Sequence, residues 1–105
     1  MIDKLIAEAT ECDFKVAVEI NKPKSWLKSV SAFANGVGDT LIFGVDDSKN
    51  IIGLKDTQKN AEAISRLIKE RITPYPDFTL MPEQKDGKDL LILTRFGGTQ
   101  YALLL

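Results

Sequence analysis

Two adjacent aspartates, Asp46 and Asp47, follow the apolar run TLIFGV (40–45) in a chain that has no histidine. Carboxylates at the exit of a core strand suit three kinds of chemistry. They can cap backbone amides in a hairpin turn, ligate a hard divalent cation, or shape a surface that meets nucleic acid. The absence of histidine removes the commonest general base and transition-metal ligand. With Cys12 as the single cysteine, a zinc site of the usual kind is excluded as well. Any catalysis must rest on carboxylates, lysines, hydroxyls or tyrosines. For the aspartate pair itself, turn chemistry is the favoured reading.

A second set of chemistry-bearing residues is basic. Lys15, Lys22, Lys24 and Lys28 fall on an alternating segment, the turn after it and the helix that follows. Grouped lysines neutralise phosphates, and they equally serve as ordinary solvated charge balanced here by Glu19. The net charge of −1, from 14 basic and 15 acidic residues, does not advertise a nucleic-acid binder. It leaves room for a local basic face. Aromatic stacking platforms are not evident, since Trp26 and Phe33 lie on an apolar helix stripe and read as core. The glycine-rich segment Asn35–Asp39 precedes no helix and has neither the lysine nor the hydroxyl of a phosphate loop, so ATP binding is not expected.

The elements that must position these residues follow from hydrophobic period. At 105 residues, 44% apolar and 28% charged, the chain suits one globular domain over 1–105 that folds without disulfides. Ile2, Leu5, Ile6 and Ala9 predict a short helix over 2–11. Residues 12–20 alternate, with Phe14, Val16, Val18 and Ile20 on one side, and predict a strand. Ser25 is placed to cap a helix whose stripe is Trp26, Leu27, Val30, Phe33 and Ala34, and Gly36 is placed to end it. The run at 40–45 predicts a central strand covered on both faces, and Ile51-Ile52 a short partner strand across the Asp46–Asn50 turn.

Helical period returns from Thr57 to Ile72, with Glu62–Arg66 and Arg66–Glu70 spaced as ion pairs and Pro74 and Pro76 beyond its end. Residues 78–81 and 89–94 predict two strands joined through Asp86-Gly87. The predicted order α-β-α-β-β-α-β-β gives an α+β fold, an α/β two-layer sandwich with one mixed sheet. The tail at 97–105 is atypical, apolar to its last residue, and reads as a final strand or the cut end of a longer protein. No signal peptide or membrane span is visible, so a cytoplasmic location is expected.

Three blocks carry a resemblance: Asp13-Phe14-Lys15, the stretch Leu27–Asn35 (LKSVSAFAN), and Gly38–Asp47 (GDTLIFGVDD). Together with the I-x-G-L motif at Ile51–Leu54, they resemble the Schlafen/AlbA_2 domain over residues 8–94. That family is described as a DNA-binding domain of bacterial transcriptional regulators. Asp13 and Asp39 depart from its pattern, standing where Glu and a second Gly are common. The proline and tyrosine-arginine continuation after the last strand is also missing. The resemblance gives Lys15 added weight as a nucleic-acid contact.

Animal Schlafen nucleases are similar in this region and use three carboxylates. Carried over, these fall on Glu8, Asp13 and Asp46, with Glu11 an equal claimant to the first place. Such a triad would hold Mg²⁺ or Mn²⁺, activate water and neutralise a scissile phosphate. The reading adopted is a DNA-binding domain of a transcriptional regulator, with DNA ahead of RNA as partner, no cofactor, no membrane, and homo-oligomerisation left open. The alternatives are a metal-dependent RNA endonuclease using the triad, and a non-catalytic interaction or dimerisation module.

Overall fold

The computed structural model describes residues 12–34, 40–73 and 77–94. The expected helix at 2–11, the turn at 35–39, Pro74, Pro76 and the tail at 97–105 lie outside the described residues. The elements run β1 (Cys12–Lys15), α1 (Lys24–Ala34), β2 (Thr40–Phe43), α2 (Thr57–Arg71), β3 (Thr79–Lys85) and β4 (Lys88–Thr94). They build a four-stranded mixed sheet in the order β1-β2-β4-β3. β1 and β2 are parallel, whereas β2–β4 and β3–β4 are antiparallel. The fold is α+β, as expected.

β2 is an interior strand, and its apolar run is buried on both sides of the sheet. Leu41 and Phe43 join the helix-side core with Trp26, Leu27 and Val30 of α1 and Ile64, Leu67 and Ile68 of α2. Ile42 and Val45 point the other way and cluster with Leu90 and Ile92, against which Cys12, Phe14 and Ile51 pack. A strand buried on both faces has no reason to alternate, which is why the period of two vanishes here. The ring of Trp26 stands edge-on to Phe43, with centroids 5.6 Å apart and planes at 86°. Its indole N–H reaches the carbonyl of Glu19 at 3.4 Å, so the polar end of a buried ring is satisfied.

Three local expectations change. The first strand ends at Lys15, not near Ile20. Phe14 packs on one face of the sheet, whereas Val18 and Ile20 pack into the core on the other, and Val16 is exposed. Alternation therefore continued past the ladder in a segment that wraps beneath α1. The helix α1 starts at Lys24, because the carbonyl of Pro23 accepts both Trp26 N–H (3.1 Å) and Leu27 N–H (2.8 Å). Ser25 thus sits inside the first turn rather than capping it.

The last hairpin is longer than expected, its first strand reaching Lys85 through Pro82. β3 is an edge strand, where a missing backbone N–H can face outward. The intervening Asp86 and Gly87 have φ of 54° and 75°, the pattern of a type I′ turn. α2 is capped by Asp56, whose carboxylate accepts Lys59 N–H at 3.2 Å. Of its expected ion pairs, Arg66–Glu70 closes at 3.4 Å on the exposed face.

The sandwich leaves no room for charge at Leu41 or Ile42, both fully buried. Leu41→Asp or Ile42→Asp is expected to strand an unpaired carboxylate in the core and cost about 4 kcal/mol or more. Loss of the cooperative melting transition by circular dichroism is the outcome that agrees. An unaltered transition in both variants would contradict the placement of β2.

Candidate functional site

Asp13 and Lys15 project from β1 toward α1, because Asp13 shares its register with Leu41 and Lys15 with Phe43, both on the helix side. The Asp13 carboxylate accepts two hydrogen bonds and faces one ammonium. Its Oδ2 accepts the Ser29 hydroxyl of α1 at 2.6 Å, and Lys15 Nζ lies 3.6 Å from the same oxygen. Its Oδ1 accepts the backbone N–H of Phe14 at 3.0 Å. Ser29 is the residue that sequence reasoning missed. It is separated from Asp13 by 16 positions, and only the β1–α1 crossover brings the two together.

Lys22, Lys24 and Lys28 are exposed. Because β1 and β2 are parallel, α1 must run back along the sheet from the carboxyl end of β1 to the amino end of β2. Lys22 and Lys24 therefore enter near the end where Lys15 sits, and Lys28 follows one helical turn after Lys24. Among the described residues, Lys22, Lys24 and Lys28 make no ion pair. The first turn of α1 contains no acidic residue, so its N–H dipoles and lysines present positive potential together.

Asp46 lies beyond the other strand of the pair, and it is a turn residue. Its Oδ1 accepts the N–H groups of Ser48 (2.9 Å) and Asn50 (2.8 Å), and its Oδ2 accepts the Asn50 side-chain amide at 3.1 Å. Lys49 N–H reaches the Asp46 carbonyl at 2.9 Å, and Lys49 takes the left-handed φ of 68° that closes such a loop. The expected partner strand shrinks to one bridge, Val45 to Ile51.

The Asp13 and Asp46 carboxylates are thus each engaged by separate sets of protein donors. Glu8 and Glu11 lie outside the described residues. Among the described residues, no group of three or more histidine, cysteine or carboxylate side chains is gathered for a metal ion.

The backbone and then the side-chain donor of Asn50 hold Asp46 below its ordinary carboxylate value of 3.8, desolvation opposes them, and Ser48 N–H adds a lesser lowering. A depressed folded pKa contributes stability that is fully present above the unfolded value and is lost as pH falls through the folded one. Asp46→Ala should therefore melt lower than the parent at pH 7. The two melting temperatures should converge as pH drops below about 4, near the unfolded aspartate value. A gap that stays constant down to pH 2 would contradict the assigned hydrogen bonds.

Against known proteins, the Schlafen, AlbA_2 family model matches residues 8–100. The N-terminal domain of an ATP-dependent DNA helicase RecG-related protein from Nitrosomonas europaea has a similar structure, with a TM-score of 0.70 and 25% identity over 93% of this chain and 71% of that one. The DIP2311 protein from Corynebacterium diphtheriae shares the fold at a TM-score of 0.63 and 19% identity, over 92% of this chain and 21% of that one. No curated protein matches. No helix among the described residues is long and apolar enough to cross a membrane. The match over most of its length makes this chain a member of the Schlafen/AlbA_2 family.

Proposed function

We propose that the chain is a nucleic-acid-binding domain that contacts duplex DNA through the β1–α1 face, as the DNA-contacting module of a transcriptional regulator. The observation that carries this reading is the set of exposed lysines on α1 and the connector before it, clear of any carboxylate partner among the described residues. Family membership supports it, as does the likeness to a domain of a protein named for a DNA helicase. Lys22, Lys24 and Lys28 neutralise phosphates, and Lys15, ion-paired to Asp13 at 3.6 Å, is the weaker fourth contact of the face. The helix face supplies no stacking aromatics, since Trp26 is fully buried, so contacts run to the backbone of the duplex rather than to unstacked bases.

Each phosphate neutralised releases counterion and adds about 0.9 to the slope of log affinity against log salt. Lys24→Gln with Lys28→Gln should therefore flatten that slope by about 1.8 in anisotropy titrations of a labelled duplex. Absence of binding at low salt would remove the DNA reading and leave the interaction module in its place.

A further inference from the structure

The lysines of the β1–α1 face are not equivalent. Lys15 has a carboxylate within ion-pair distance, Asp13 Oδ2 at 3.6 Å, and the two side chains are 28% and 35% exposed. Lys22, Lys24 and Lys28 have none among the described residues. Asp13 is also held in place. Ser29 donates to the oxygen that faces Lys15, at 2.6 Å, so the carboxylate is tied to α1 as well as to β1. The backbone of Lys15 is equally constrained, because its carbonyl accepts Gly44 N–H at 2.7 Å and Val45 N–H at 3.3 Å.

We propose that Asp13 withholds Lys15 from polyanions and so sets the affinity of the basic face for nucleic acid. This rests on the reading that the face contacts phosphate. A phosphate arriving at Lys15 meets an amine whose charge is already compensated, and a fixed negative charge beside it. Lys15 then releases less counterion on binding than its exposed neighbours do. A partly exposed pair of this length is weak, so the attenuation is modest and reversible. Ser29 is a positioning residue in this arrangement: its hydroxyl stops the carboxylate from turning away toward water when a phosphate approaches.

A double-mutant cycle separates withholding from the general effect of removing one negative charge. Wild type, Asp13→Asn, Lys15→Gln and the double variant are titrated against a fluorescein-labelled DNA duplex across a salt series. Asparagine keeps its oxygen for Phe14 N–H and can donate its amide to the Ser29 hydroxyl, and matching melting temperatures confirm that the latch between β1 and α1 survives. Asp13→Asn is expected to bind about threefold tighter at fixed salt, the size of a released surface pair. Its salt slope should steepen measurably, by at most about 0.9, the value of one whole phosphate contact. The gain in slope should vanish in the Lys15→Gln background.

A salt-dependent wild type whose slope is unchanged by Asp13→Asn would overturn the withholding while leaving DNA binding intact. So would an equal gain with and without Lys15. If no variant binds the duplex even at low salt, the reading of the face as a phosphate contact falls, and the withholding with it.

Discussion

Three stretches of backbone meet at Gly44, and the positions of both candidate sites depend on that junction. Its N–H donates to Lys15 at 2.7 Å, which ends β1. Its carbonyl accepts Ile52 N–H at 2.8 Å and Gly53 N–H at 2.9 Å, which brings the hairpin back onto the sheet. The residue has φ of +104°, and a Cβ there would lie 2.7 Å from Leu90 Cδ2. A side chain is therefore refused on two counts, strain and collision. Lys15 on one side and the Asp46 loop on the other are fixed relative to β2 because this one position carries no side chain.

What the sequence displays well is whatever a single local rule controls. The run at 40–45 announced a doubly covered strand, and Asp86-Gly87 announced its hairpin, because burial and positive φ leave few residue choices. Where two rules compete, the local pattern and the structure diverge. Val16, Val18 and Ile20 keep a period of two after the ladder has ended. Val18 and Ile20 answer to the helix-side core rather than to strand pairing. The strand expected over 78–81 runs on through Pro82 to Lys85, because an edge position removes the penalty that proline carries inside a sheet. Ser25 had the right chemistry for a cap, but the chain had already turned at Pro23.

The site divides along the same line. Asp46 was legible because all its donors lie within four residues of it. Lys15, Lys22, Lys24 and Lys28 were legible as a group because they are near in sequence. The Ser29–Asp13 contact was not, since it depends on how far α1 travels back along β1. The Asp13–Lys15 ion pair that this contact steadies distinguishes Lys15 from the other three lysines, a difference that residue type alone does not express.

Net charge is a poor guide to this molecule for a reason visible in its aspartates. Asp46 organises a loop, Asp56 caps α2, and Asp86 takes the left-handed corner of a hairpin. These carboxylates are committed to backbone geometry, at turns and helix ends where short acceptors are wanted. They offset the lysines in the sum without lying beside them on α1. Asp13 is the exception, a carboxylate placed on the basic face itself and anchored there from two elements. A chain with 14 basic and 15 acidic residues can therefore present positive potential where α1 begins. The strength of that potential turns in part on whether Asp13 keeps hold of Lys15.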